Sequence, residues 1–103
     1  MSEQEIEKEI QDKGLNAPRL TPDMIDSKIA SKQFHVMGDT YLTVCVLTLV
    51  NGFTVSGTSA CASPENFNKE IGEKIAFENA RNEIWVLEGY LLKQRLFDEG
   101  ELK

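Results

Sequence analysis

The sequence contains two cysteines, three prolines and one histidine, and each shortage closes off a class of protein. Two cysteines cannot form a disulfide scaffold, and neither Cys45 nor Cys61 has His or Cys neighbours at zinc-ligand spacing, so no metal site is expected. Both read as small buried hydrophobes. His35 lies in an alternating segment with no acid or nucleophile beside it in the sequence, which leaves acid–base or nucleophilic catalysis without a foothold. The chain is therefore not expected to be an enzyme, and no cofactor is implied. Positive charge is also scarce: 11 Lys and Arg stand against 17 Asp and Glu, a net charge of −6. The electrostatic footprint for polymeric nucleic acid or an anionic bilayer is missing. The longest run without a charged residue, Thr40 to Pro64, is broken by Asn51-Gly52, Ser56-Gly57 and several threonines, unlike the ~20 mostly apolar residues of a membrane span. The opening Met1-Ser2-Glu3-Gln4-Glu5-Ile6-Glu7 is acidic where a secretory signal is basic and then apolar, so the expected location is cytoplasmic.

What is present fits one small globular domain: 103 residues, 41% hydrophobic, 27% charged and 8% aromatic. A domain of this size leaves much of its surface exposed, which makes self-association a natural way to bury more. Ser2 with Glu5 forms a capping box, Ile6 and Ile10 share a face and Gly14 follows, predicting a short helix over residues 3–13 with a thin apolar stripe. Asn16-Ala17-Pro18 reads as a linker. Thr21-Pro22-Asp23 repeats the start signal with a cap, a proline at the first helical position and a carboxylate near the positive helix end, predicting a second helix to about Ser31.

From Gln33 the period becomes that of a strand, giving Gln33 to Met37, a turn at Gly38-Asp39, Tyr41 to Val50, and Phe53 to Cys61. Asn51-Gly52 predicts a two-residue hairpin loop with positive φ at both positions. The implied register sets Val50 against Phe53, Thr48 against Val55, Val46 against Gly57, Val44 against Ser59 and Leu42 against Cys61. Cys45 then falls on the opposite side of the sheet from Cys61, which excludes a disulfide between them. The strand Tyr41 to Val50 is apolar on both faces: Leu42, Val44, Val46 and Val50 on one, Cys45, Leu47 and Leu49 on the other. The following helix covers one face. Leu47 and Leu49, beside Thr54, Ser56 and Thr58, then require the first helices or a second subunit as cover. Ser63-Pro64 predicts the start of a long helix reaching about Leu96, roughly 50 Å at 1.5 Å per residue, with Gly89 its weak point. Gly72, Ala76, Ala80, Ile84, Leu87 and Leu91 form a narrow stripe, suited to packing on the sheet or to a helix pair across a dimer.

The fold expected is thus α+β: a three-stranded antiparallel meander with two short N-terminal helices and a long C-terminal helix. Residues 1–19 form an acidic helix and linker, 20–97 a single domain and 98–103 a polar tail. Two groups of residues are candidates for ligand binding. At the strand-to-helix junction, free N–H groups beside Asn66, Phe67 and Asn68 can hold an anion, read polar edges and stack on a base. Along the helix, Phe77, Arg81, Asn82 and Trp85 can stack, pair with phosphate and hydrogen-bond, with Glu88 on the same face. The bland reading of both groups is a capped helix with a core phenylalanine and a solvated charged face.

The strings Leu47-Thr48-Leu49-Val50-Asn51-Gly52-Phe53-Thr54-Val55, Ser59-Ala60-Cys61-Ala62-Ser63-Pro64-Glu65-Asn66-Phe67, Glu70-Ile71-Gly72-Glu73-Lys74-Ile75-Ala76 and Leu87-Glu88-Gly89-Tyr90-Leu91-Leu92 occur in that order. In this the chain resembles a family of small tailed-phage accessory proteins, named after gene product forty-nine of phage N-four and gene sixty-six of phage Sf-six, over about Leu20 to Leu96. The resemblance implies a phage origin and action in the host cytoplasm. In plan, the chain is also similar to the phage Thoeris anti-defence sponges, oligomeric proteins that sequester cyclic ADP-ribose signals and, in some members, the cyclic oligonucleotides of CBASS-type signalling. That likeness implies ligand sites between subunits. The function expected is sequestration of a host cyclic nucleotide immune signal without degrading it, by a homo-oligomer. The alternative is an acidic protein-binding inhibitor of a host enzyme, resting on the net charge and the Glu-rich first helix.

Overall fold

The computed structural model describes residues 2–14 and 17–100. The linker expected at Asn16-Ala17-Pro18 and the tail expected over 98–103 lie partly outside them. Helix α1 spans Glu3–Asp12, with the Ser2 hydroxyl accepting from the Glu5 amide. Helix α2 spans Pro22–Ser27, with Thr21 accepting from the Met24 amide. It stops short of the expected Ser31, because Ile29 already pairs with Leu49 as the first residue of β1, Ile29–Val36. The isoleucine, alanine and serine of this segment form an edge strand, with an irregularity between Ile29 and Ser31.

Strands β1, β2 (Leu42–Leu49) and β3 (Thr54–Ala60) form the expected antiparallel meander in the order β1-β2-β3. Its second turn differs from expectation. The Gly52 amide donates to the Leu49 carbonyl and the Leu49 amide to the Phe53 carbonyl, so the loop is Val50-Asn51-Gly52, three residues long. Only Gly52 takes positive φ, at 90°, and Asn51 does not. This is a turn closed by a left-handed glycine bulge, and it moves the register by one. Leu47 faces Val55, Cys45 faces Gly57 and Thr43 faces Ser59, in place of the pairings expected from a two-residue loop.

A one-residue slip exchanges the faces of β3 relative to β2. Thr54, Ser56 and Thr58 lie with Leu42, Val44 and Val46, not with Leu47 and Leu49 as expected. By the same parity Cys45 and Cys61 fall on one side. Both are nevertheless free, because Cys45 sits opposite Gly57, four residues back along the chain from Cys61. The face with Leu47 and Leu49 is the one the long helix covers, while Leu42, Val44, Val46 and Thr48 remain half-buried with no described helix over them.

That helix, α3, spans Lys69–Asp98. The expected start at Ser63-Pro64 yields only a single 3-10 turn, Pro64–Asn66. Ser63 makes no capping bond there, and Phe67 is extended at φ −68° and ψ 125°. The working cap is Asn68, whose side chain accepts from the Ile71 amide at 2.9 Å. From there α3 runs unbroken through Gly89. Its thirty residues extend about 45 Å, against a longest molecular dimension of 52 Å.

The small-residue stripe packs on the sheet. Ala76 and Ala80 are fully buried, and a side chain at Gly57 would fall within 2.2 Å of the Ala80 nitrogen and 2.5 Å of the Ala76 oxygen. The backbones of β3 and α3 therefore touch at Gly57. Ile25, Leu47 and Ile84 complete the core, all fully buried, each contributing about 2 kcal/mol by removal from water.

Candidate functional site

The two expected groups of binding residues do not come together: Asn66, Phe67 and Asn68 line one cleft, and Arg81 and Trp85 line hollows that share no residue with it. Arg81 sits one turn beyond Phe77 on α3 and points under α1 and α2. It is 6% exposed. Its Nε donates to Asp26 at 2.8 Å, Nη1 to Glu3, and Nη2 to the Pro22 carbonyl at 3.3 Å. Burial opposes the charge on Arg81, but the hydrogen bonds to Asp26 and Glu3 outweigh it and hold the pKa above the ordinary arginine value. The surrounding hollow, about 490 Å³, carries Glu3, Glu7, Asp23 and Asp26 against Lys8 and Arg81, a net negative lining that disfavours a phosphate. Trp85 packs against the core, and with Ile6, Ile10, Leu20 and Pro22 it borders a smaller hollow beneath α1. Phe77 also packs on the core, with the Lys32 ammonium 5.4 Å from its ring. Asn82 is exposed, and Glu88 pairs with Lys28 at 3.5 Å. Of the helical residues expected to read a ligand, Arg81 and Trp85 are thus occupied by the chain's own first two helices, Phe77 lies by β1 and Asn82 faces outward.

The junction residues are placed differently. Asn66, Phe67 and Asn68 line a cleft of about 180 Å³ with Tyr41 and Thr43 of the central-strand region, Cys61, and Ile71, Gly72 and Ile75 of α3. The rings of Tyr41 and Phe67 pack against each other at 5.4 Å, tilted by 50°, and together line one part of the cleft. Asn68 is committed to capping α3. The single 3-10 turn after Ser63 has too few aligned peptides to serve as the anion-binding helix start that the sequence suggests.

Thr43 is the residue that sequence reasoning passed over. It is 1% exposed, and its hydroxyl is the one buried side-chain polar atom among the described residues without a hydrogen-bond partner. Buried hydroxyls are nearly always paired, so an unpaired one bordering a cleft marks a point where a ligand atom would gain a bond. Gly72 leaves the space in front of it: a side chain there would come within 3.0 Å of the Thr43 hydroxyl. The clue in the sequence was a threonine in the same alternate positions as Cys45, Leu47 and Leu49, the stripe destined for the core. Among the described residues, no cluster of three His, Cys, Asp or Glu is placed to hold a metal ion, and no helix is long and apolar enough to cross a membrane.

A meander backed by one long helix, with an acid-clasped arginine on one flank and a small cleft at the strand-to-helix junction, makes a small α+β domain. The profile of the phage protein (N4 Gp49/phage Sf6 gene 66) family matches residues 20–96, and the chain belongs to that family. The match takes in the cleft and Arg81 but leaves out α1. No curated protein and no solved structure matches the chain.

Proposed function

We propose that this phage protein sequesters a nucleotide-derived host signal, a cyclic ADP-ribose or cyclic oligonucleotide, without degrading it, and so keeps a host defence effector unactivated in the cytoplasm. One observation carries the reading: the unpaired Thr43 hydroxyl in a cleft lined by the Tyr41–Phe67 ring pair and Asn66. That set supplies a hydrogen bond, an aromatic surface and an adaptable polar group, the elements that hold a heteroaromatic ring.

At about 180 Å³ the cleft is close to the ~150 Å³ cavity that holds benzene and below the ~300–1,000 Å³ of ordinary ligand pockets. It suits one ring of such a signal, and the remainder would lie against the rim or a second subunit. This reading assigns Asn66, Phe67, Tyr41 and Thr43 to the ligand and gives Arg81 to the architecture. The alternative, an acidic inhibitor of a host enzyme, draws on α1. It is the weaker reading because Glu3 and Glu7 of that helix are held by Arg81 and Arg19.

The test is to incubate the full chain with pooled cyclic dinucleotides, cyclic trinucleotides and cyclic ADP-ribose isomers, wash, heat-denature and identify the released mass. Recovery of one intact compound, lost in Phe67→Ala with the circular dichroism spectrum unchanged, is the expected result. Release of nothing from folded protein, or of a cleaved product, overturns the reading.

A further inference from the structure

The C-terminal half of α3 carries an apolar surface that nothing among the described residues covers. Val86 is 69% exposed, Tyr90 70% and Phe97 62%. With Asn79, Glu83 and Lys93, also exposed, they stand at alternating spacings of four and three along the helix. That is the spacing of a seam along which two helices interlock. The helix is already held in place by the sheet through Ala76, Ala80 and Ile84, so the cost of ordering it does not fall on association.

We propose that a second copy of this chain packs antiparallel along this seam. The six positions are symmetric about Glu88. Reversing one helix sets Val86 against the partner's Tyr90, Glu83 against the partner's Lys93 and Asn79 against the partner's Phe97. Two of the three layers then match apolar with apolar or opposite charges, while Asn79 keeps its bond to the Thr58 carbonyl beneath the partner's Phe97, and the two-fold axis generates every layer twice. Glu83 and Lys93 take part in no ion pair among the described residues, so both are free to serve the partner. A parallel arrangement would stack Glu83 on Glu83 and Lys93 on Lys93, and like charges select against it. The seam runs about 27 Å from Asn79 to Phe97. Phe53, 55% exposed at the hairpin tip, lines a shallow hollow with Glu83 and Leu87 and widens the contact. The partner's Phe97 arrives at Asn79, one turn from Ile75 at the cleft. The inference does not depend on what the cleft binds.

Sedimentation equilibrium of the full chain tests it. The expected result is a monomer–dimer equilibrium that weakens at least about tenfold in Glu83→Lys and in Lys93→Glu, where two attractive pairs become repulsive, and returns to within about threefold of the original in the double swap. Glu83→Lys is the more telling single change. It lowers the net negative charge of the chain and, by general repulsion alone, would strengthen association. All these side chains are exposed, so folding, followed by circular dichroism, is expected to be unaltered. A monomer at every concentration overturns the proposal and leaves the seam to a different protein. A dimer indifferent to either single swap, or not restored by the double one, overturns it as well.

Discussion

Arg81 and Thr43 are the two buried polar residues of the described structure, and they differ in whether their bonding capacity is met. The Arg81 guanidinium reaches two carboxylates and a carbonyl, joining α1, α2 and α3. Thr43 carries a hydroxyl under the start of α3 with nothing to bond to. A charged residue on an aromatic-flanked helix face looks more like a binding group than a threonine in a strand. In the folded chain the arginine is satisfied internally, and the threonine is left available. Hydrogen-bond satisfaction, not residue type, separates a structural polar group from one poised for a ligand.

The largest expected effect breaks both regions at once, because both depend on how α3 lies on the sheet. Gly57→Ala forces a methyl into the backbone of Ala76 and Ala80, and urea unfolding should show a loss of about 3 kcal/mol or more. Separating the regions comes next. Arg81→Ala removes the group that clasps Glu3 and Asp26. Those carboxylates are 40% and 56% exposed and can rehydrate, so the cost is about 2 kcal/mol, below that of stripping a fully buried pair. The same unfolding measurement checks it, and signal binding at the cleft should survive.

A smaller effect concerns α1, which Arg19 also holds, through contacts of 2.5 and 2.6 Å to Glu7. The hydrogen bonds from Arg19, and then from Gln11, keep the Glu7 carboxyl below its ordinary 4.5. A carboxyl with a depressed folded pKa stabilises the fold above its unfolded value and loses that contribution as pH falls through the folded one. Trp85, the single tryptophan, borders the hollow under α1, so its fluorescence should hold steady down to about pH 4.5 and change below it. Arg19→Gln should move that change to higher pH.

How far the sequence disclosed these regions follows from the range of each interaction. Local signals were legible: Ser2 and Thr21 cap their helices, the strands alternate, and Gly72, Ala76 and Ala80 mark the face laid on the sheet. The Asn51-Gly52 turn was legible as a turn but not in length, since the same pair serves a two-residue loop or the end of a three-residue one, and that residue decides which side of β3 faces the core. Ser63-Pro64 and Asn68 are both good helix starts, and the extended Phe67 between them lets only the second carry α3. The partners of Arg81 lie at Glu3 and Asp26, brought together by the packing of three helices, and such contacts leave no period to read. The junction residues Asn66 and Phe67 could be named from their neighbours. The hydroxyl in the same cleft could not, because the room Gly72 leaves beside it arises only from the packing of α3 on the sheet.

The smallest effect sharpens the comparison most. Thr43→Val keeps the shape of the side chain and deletes the hydroxyl. Removing a satisfied buried hydroxyl costs about 1 kcal/mol, whereas removing an unsatisfied one relieves a desolvation penalty and leaves the valine better suited to its surroundings. Free of ligand, Thr43→Val should therefore be as stable as the original or up to about 1 kcal/mol more so in urea unfolding. Its affinity for the recovered signal should fall about tenfold, the value of one buried hydrogen bond. A variant more stable yet weaker in binding is what a group kept for a ligand predicts. Loss of stability with binding unchanged would instead return Thr43 to the architecture beside Arg81.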